Sequence, residues 1–233
     1  MNEQLDKAFD ALKTYDWGMD PNSIKAVDDA IVATHTDAAA RKELEARLIA
    51  ALTTEAPRAA KDAVCRALKT IGTAAAVPAL AALLADDKLS HMARYALERI
   101  PGPEAGRALR ESLPKVAAKL KIGVLSSLGA RGEATALTAP MTALLADGDA
   151  AVAVAAAHAV GDIGSLEAAK VLLTAKAAAG SKAAIADASM NCAEHLLAAG
   201  NKGAAKITYD KVLAGAPSKL IKDAATRGLT ACK

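Results

Sequence analysis

The sequence predicts an all-α protein, a right-handed α-solenoid of about seven antiparallel helix pairs. An apolar anchor recurs at steps of 29, 31, 32, 36 and 33 residues. All anchors but the last are followed four positions later by Gly or Pro, which is typical of a helix end. The chain is 53% hydrophobic but only 2% aromatic, so its Ala-rich helices must lie close together to pack well. The anchors are Leu68, Leu97, Leu128, Val160, Leu196 and Leu229.

The first 56 residues are predicted to form degenerate helix pairs of the same array, with helices at 3–14, 22–34 and 38–53. Leu5, Ala8, Phe9 and Leu12 recur at spacings of three and four, which indicates an amphipathic helix. Asp20 before Pro21, and Asp37 before the third helix, are helix start signals. No period-two pattern predicts a strand.

Residues 57–233 are predicted to carry the regular repeats, and the whole chain to form one continuous solenoid domain. Ser90 is expected to cap a helix, and Gly72 to end one. Small residues are expected to let neighbouring pairs approach closely, at Ala63, Ala67, Ala96, Ala155, Ala156 and Ala159. The predicted helices are 57–71, 74–85, 90–100, 104–113, 115–128, 133–146, 149–163, 166–179, 182–199, 202–214 and 217–231.

A recurring pattern over roughly residues 57–231 resembles the HEAT-like repeat, in the bacterial type named after phycobilisome lyases. Leu-Leu-Ala-Asp at 83–86 and 144–147 is followed by a turn and an Ala-rich helix ending in Leu-Gly-x-x-Gly or Ile-Gly. Residues 90–98 and 122–131 are similar to HEAT segments of exported multidomain proteins of planctomycete-like bacteria, which have no assigned catalytic role. The resemblance implies an armadillo-like helical fold used for protein binding.

This sequence departs from the HEAT pattern in one respect. Many HEAT repeats place an Arg just after the turn, where it meets an Asp of the neighbouring repeat. Here the turn at 147–149 is followed by Val152-Ala153-Val154, and only Arg94 comes near that role. Packing of Ala residues is therefore expected to hold the stack together.

Composition argues against two partner classes. The net charge is only +3, from 29 basic and 26 acidic residues without a dense Lys/Arg track, so nucleic acid is not an expected partner. No apolar run is long enough for membrane insertion, which predicts a soluble protein. No signal peptide is visible at Met1, so the sequence as written predicts a cytoplasmic location, or an exported or periplasmic one if it is a trimmed segment of a larger protein.

The sequence contains no recognisable catalytic or metal-binding constellation. Cys65 and Cys192 lie in apolar helical patterns and are expected to be buried, whereas Cys232 near the end is either a reactive thiol or without a role. The His-Glu dipeptides of the di-iron HEAT hydroxylases are lacking. We therefore expect no enzyme, no cofactor, no metal and no catalytic residue. The histidines are spread over separate repeats, at His35, His91, His158 and His195.

A binding groove is predicted on the second helix of each pair, which lines the concave face in a HEAT-like stack. Arg94, Tyr95 and His158 are the groove residues best suited to contact a peptide or protein surface. Two positions before each anchor the residues are Arg66, Tyr95, Ser126, His158, Glu194 and Arg227. Six positions before each anchor they are Asp62, His91, Ile122, Val154, Met190 and Asp223.

Alternatives stay open both for the groove positions and for two aromatic residues near the N-terminus. The groove positions could be an ordinary solvated helix face, with Ile122, Val154 and Met190 packed in the core. Tyr15 and Trp17, in the first turn, could form a docking patch, or Trp17 could cover the end of the first helix pair.

These features favour a non-catalytic scaffold for protein–protein interaction, whose partner is another protein or a fused domain of a longer parent chain. One alternative is a phycobilin-lyase-like enzyme or a chaperone of a cofactor-bearing protein, which rests on fold resemblance. The scarcity of aromatic residues to hold a tetrapyrrole argues against it. A second alternative is a structural spacer or assembly subunit.

Overall fold

The computed structural model describes residues 3–178, 180–215 and 218–233. These residues contain fourteen α-helices and no strand, so the predicted all-α class is confirmed. The predicted helix bounds at residues 179 and 217 lie outside the described residues. The helices are α1 Glu3–Leu12, α2 Lys25–Ala33, α3 Ala38–Leu52, α4 Arg58–Ile71, α5 Val77–Ala82, α6 Ser90–Leu97, α7 Pro103–Ser112, α8 Ala118–Arg131, α9 Ala139–Ala143, α10 Ala150–Ile163, α11 Leu166–Thr174, α12 Lys182–Ala198, α13 Lys202–Gly215 and α14 Lys219–Ala231.

Three of the predicted helices are partly 3-10 in character. Pro78 and Pro140 lie in the first turns of α5 and α9, where a proline lacks the N–H that a helix interior needs. The helices α5 and α9 therefore begin one residue before these prolines, and 3-10 turns at Ala74–Ala76 and Ala134–Ala136 precede them. The short 3-10 helices are Pro21–Ile24, Ala74–Ala76, Ala134–Ala136 and Leu144–Ala146.

The chain divides into two compact units, Met1–Ser112 and Leu113–Lys233. In the first unit, α2, α4 and α6 lie side by side in one layer, and α3, α5 and α7 in another. In the second unit, α8, α10, α12 and α14 form one layer, and α11 lies beside α13 in the other. We call the first layer of each unit its even-helix layer. Consecutive helices of the same layer therefore pack side by side within each unit.

Two glycines allow close approach of neighbouring helices in the even-helix layer of the second unit. A Cβ on Gly161 would lie 2.8 Å from the carbonyl oxygen of Ala188, and one on Gly129 would lie 3.0 Å from the Cα of Ala159. The predicted spacing residues are also present, although Ala63 and Ala155 are only half-buried. Those that are fully buried are Ala67, Ala96, Ala156 and Ala159.

Polar links add to this packing. The buried Glu45 of α3 accepts hydrogen bonds from the backbone N–H of Thr73 at 2.6 Å and from its Oγ1 at 2.9 Å. Asp162 of α10 accepts one from Nδ2 of Asn191 of α12 at 2.7 Å. Small-residue packing is therefore not the only interaction that joins the helices, which corrects the expectation from the sequence.

The predicted helix starts are confirmed at two positions and wrong at one. Asp20 and Asp37 each accept a hydrogen bond of 2.9 Å from a backbone N–H of the following turn, as helix caps do. Ser90 does not cap α6, because its Oγ is buried without a hydrogen-bond partner. Asp86 instead caps the turn that leads into α6, since its Oδ1 accepts hydrogen bonds from the backbone N–H groups of Lys88 and Leu89 at 2.7 and 2.9 Å.

Candidate binding surface on the even-numbered helices

One side chain in every even helix from α4 to α14 is exposed beside the apolar anchor. The anchors themselves are buried, except Leu229, which is half-buried. Because each exposed residue stands two positions before its anchor, it occupies the same place on each helix. The exposed residues are the predicted Arg66, Tyr95, Ser126, His158, Glu194 and Arg227.

In the first unit, Tyr95 of α6 is joined to α4 through Lys69. Nζ of Lys69 donates a hydrogen bond of 2.6 Å to the Tyr95 hydroxyl and lies 4.3 Å from the centre of its ring. This hydrogen bond, with the lysine charge, lowers the pKa of Tyr95. The sequence reasoning missed Lys69, because its closeness to Tyr95 depends on how α4 and α6 pack.

Arg94 is less available than the sequence predicted. It is half-buried, and its Nη2 lies 3.4 Å from Nδ1 of His91 one turn earlier. Burial lowers the pKa of the guanidinium, while the nearby Glu98 opposes this shift. Tyr95 and His91 are therefore the exposed members of this group on α6, whereas Arg94 is half-buried.

Asp62 of α4 is not a surface residue, and its assignment to the groove is wrong. The side chain is buried, its Oδ1 has no hydrogen-bond partner, and its Oδ2 lies 3.7 Å from Nε of Arg58. Burial raises the pKa of this carboxyl group, against the opposing charges of Arg58, Arg66 and His91.

A small cavity in the first unit brings Tyr15 together with Arg66. Its volume is about 160 Å³, and Asp28 of α2 contributes a carboxylate to the wall. Trp17 does not line it and is 66% exposed. Trp17 therefore does not pack over the end of the first helix pair, and the docking patch stays a prediction.

In the second unit, the three apolar residues predicted for the middle of the groove reach the surface. Ile122 of α8 is 36% exposed, and Val154 of α10 and Met190 of α12 are half-buried. They are therefore not fully buried core residues. His158, one turn after Val154, is exposed beside them.

A cleft of about 310 Å³ lies between α12 and α14 in the same unit. Leu220, one of its lining residues, is 75% exposed. The sequence reasoning missed this cleft, apart from Glu194 and Met190. Its lining residues are Asp187, Met190, Asn191, Glu194, Leu220, Ile221 and Ala224.

The described residues offer little for covalent or metal chemistry. Cys65 and Cys192 are buried as predicted, and burial raises the pKa of their thiols to about 12 and about 11. Neither is a thiolate at neutral pH, so neither is an activated nucleophile. Over the same residues, His, Cys, Asp and Glu side chains nowhere gather in a group of three or more that could hold a metal ion. None of the helices described is long and apolar enough to cross a membrane.

Comparison with known proteins does not assign this chain to a family. No protein-family model matches the chain, and no curated protein sequence matches it. Among solved structures, human deoxyhypusine hydroxylase in complex with glycerol is similar at 15% identity and a TM-score of 0.29, over 99% of this chain and 96% of that one. A likeness at this level carries no argument about fold or activity.

Proposed function

We propose that the protein is a non-catalytic scaffold that binds another protein, or another domain of a longer parent chain, through the even-helix layer of its units. The supporting observation is the set of exposed residues beside the anchors within each unit. The anchors are alike from helix to helix, whereas the exposed residues are Arg, Tyr, Ser, His, Glu and Arg in chain order. Repeats of constant shape with varied side chains are how a solenoid builds a specific binding surface.

The apolar residues on this surface also favour a protein partner. Ile122, Val154 and Met190 come from three helices that pack side by side, and each keeps part of its side chain in contact with solvent. Partly exposed apolar residues with polar neighbours such as His158 are typical of protein interfaces.

A lyase-like activity of the phycobilisome type has less support. A tetrapyrrole needs a cavity within the roughly 300–1,000 Å³ range of ligand sites, preferably lined by aromatic side chains. The cavity beside Tyr15 has only about 160 Å³. Neither the cleft between α12 and α14 nor a cavity of about 400 Å³ beside α3 has an aromatic lining residue.

Site-specific photo-crosslinking in the cells that make the protein tests the proposal. A benzophenone amino acid is placed at Tyr95 or His158, both exposed on even helices, and in separate variants at Arg107 of α7 or Glu167 of α11, both exposed on odd helices. We expect discrete protein adducts from the even-helix positions and none from the odd-helix positions.

The partner identified in this way is then titrated against the purified protein. Tyr95→Ala combined with Arg66→Glu is expected to weaken its binding about tenfold or more, as for an interface anchor. Arg107→Glu serves as the control and should leave affinity unchanged. Adducts from the odd-helix positions alone, or from no position, would contradict the proposal and favour a spacer role.

A further inference from the structure

We propose that the cleft between α12 and α14 binds an extended peptide segment in which large apolar residues are flanked on both sides by Lys or Arg. This inference rests on the proposed scaffold function. It locates one binding site on the even-helix layer of the second unit and names the chemistry of its occupant.

The floor and one edge of the cleft are apolar. Met190 and Ile221 are half-buried beside Ala224, and Leu220 stands 75% exposed at the edge. A leucine exposed to this extent next to a cleft of about 310 Å³ is stabilised when another apolar side chain covers it. Met190 adds to this, because its flexible thioether adapts to differently shaped partners.

The wall formed by α12 is negatively charged. Asp187 and Glu194 are both exposed, lie seven positions apart and form no ion pair among the described residues. Asn191 between them is held by its hydrogen bond to Asp162, and no lining residue is basic. This wall therefore attracts cationic side chains.

The charges on the α14 side do not cancel this attraction. Lys219, just before the cleft, is paired with Asp223 at 3.0 Å. Arg227 is exposed one turn further along α14 and does not line the cleft. Among the described residues, the charged side chains that line the cleft are therefore those of Asp187 and Glu194.

The spacing of the two carboxylates sets the spacing of the cations. Seven residues of α-helix rise about 10 Å. In the extended polyproline II conformation, which has three residues per turn and rises about 3.1 Å per residue, residues three positions apart lie on one face and are separated by about 9 Å. The structure therefore favours a segment of the form Arg-x-x-Arg, with apolar residues between the cations meeting Met190, Leu220 and Ile221.

Fluorescence anisotropy with synthetic peptides tests the inference directly. Three labelled peptides share a Gly-Ser carrier and contain Arg-Leu-Leu-Arg, Glu-Leu-Leu-Glu or Arg-Ser-Ser-Arg. We expect the full-length protein to bind the first at least about tenfold more tightly than either of the others, because only the first meets both the charge and the apolar floor. This preference should diminish as salt is raised, since the carboxylates are exposed.

Two variants assign the binding to the cleft. Asp187→Asn with Glu194→Gln keeps the shape and removes the charge, and should weaken the first peptide about tenfold. Leu220→Ser removes the apolar edge and should weaken it about fivefold. The matched control, Glu167→Gln with Asp210→Asn on α11 and α13, removes two exposed carboxylates from odd helices and should change nothing.

Equal affinity for all three peptides, or unchanged binding after neutralisation of Asp187 and Glu194, would overturn the inference. So would concentration-dependent dimerisation that Leu220→Ser abolishes without any peptide binding, because a second copy would then be the occupant. The scaffold function is tested separately, since crosslinks at Tyr95 do not involve this cleft. Crosslinking there with no peptide binding would reject the cleft alone.

Discussion

At the scale of the residue, the two buried carboxylates of the first unit, Glu45 and Asp62, differ in the hydrogen bonds that they accept. Glu45 accepts hydrogen bonds from both the backbone N–H and the hydroxyl of Thr73. Asp62 has an unpartnered Oδ1 and a raised pKa. Their sequence contexts, both within Ala-rich helices, do not distinguish them. The two carboxylates are distinguished only by the groups that neighbouring segments of the chain place beside them.

Glu45→Ala is expected to lower the free energy of unfolding by about 1–3 kcal/mol, because the two hydrogen bonds that Thr73 donates to the buried carboxylate are lost. Urea denaturation at neutral pH measures the change. Glu43→Ala, an exposed position on the same helix, should stay within about 0.5 kcal/mol of the wild type. Equal effects of the two substitutions would show that the Glu45 hydrogen bonds contribute nothing.

Asp62→Asn is expected to raise the free energy of unfolding at pH 7, by an amount on the order of 1 kcal/mol, because the uncharged amide is cheaper to bury. The folded-state pKa of Asp62 lies above its ordinary value of 3.8. Folding therefore favours the protonated form of Asp62. Its contribution to the free energy of unfolding is fully present below pH 3.8 and is lost as pH rises through the folded-state pKa.

The pH dependence distinguishes this effect from a general one. Unfolding by urea at a series of pH values between 3.5 and 7 should show the gain of Asp62→Asn over the wild type growing as pH rises. Glu55→Gln, an exposed position, should show no such trend. A gain that stays constant with pH would contradict the role of the buried charge.

At the scale of the element, the sequence predicted the helices well and their contacts only in part. The 3.6-residue pattern and the Gly or Pro stops located the fourteen helices of the described residues, because these signals are local. Gly132 and Gly164, each four positions after an anchor, have φ values of 63° and 60°, a left-handed conformation that ends a helix. Gly129 and Gly161, inside the helices, carry no such local signal and serve packing instead.

Gly161→Ala is expected to lower the free energy of unfolding by about 1–3 kcal/mol. The new methyl group would lie 2.8 Å from backbone atoms of Ala188, so α10 and α12 must move apart. This cost exceeds the gain of roughly 1 kcal/mol that alanine brings to a helix. Thermal or urea unfolding measures the net effect.

Gly203→Ala provides the control within the same unit. Gly203 lies in the first turn of α13, and nothing lies within 4 Å of its added Cβ. Only the backbone effect remains, so this variant should be neutral or more stable by up to about 1 kcal/mol. If both variants were stabilised alike, the close approach of α10 and α12 would be wrong.

At the scale of the whole molecule, burial is distributed unevenly along the second unit. In α10, Val152, Ala153, Ala156, Ala157, Ala159, Val160, Gly161 and Ile163 are all buried, whereas in α14 only Ala225 is. Local stability follows buried contacts, so we expect α14 to open without unfolding of α10. The proposed peptide cleft is therefore bordered by α14, a helix that opens at a lower cost in free energy than α10.

Native-state hydrogen exchange checks this distribution. We expect the backbone amides of α14 to exchange through local openings. The free energy of these openings should be at least about 2 kcal/mol lower than that of the openings that expose the central amides of α10. Adding the Arg-Leu-Leu-Arg peptide should slow exchange in α14 more than in α10. Equal protection of the two helices without peptide would contradict the expected order of stability.

The sequence by itself determined the helical class, the number of helices and the residues beside each anchor that face solvent. These follow from periodicity and helix-stop residues, which act within one or two turns. Tertiary structure alone decided that Asp62 is buried, that Lys69 meets Tyr95 and that Leu220 is exposed at a charged cleft. Each depends on how neighbouring helices pack, and no local pattern in the chain encodes those distances.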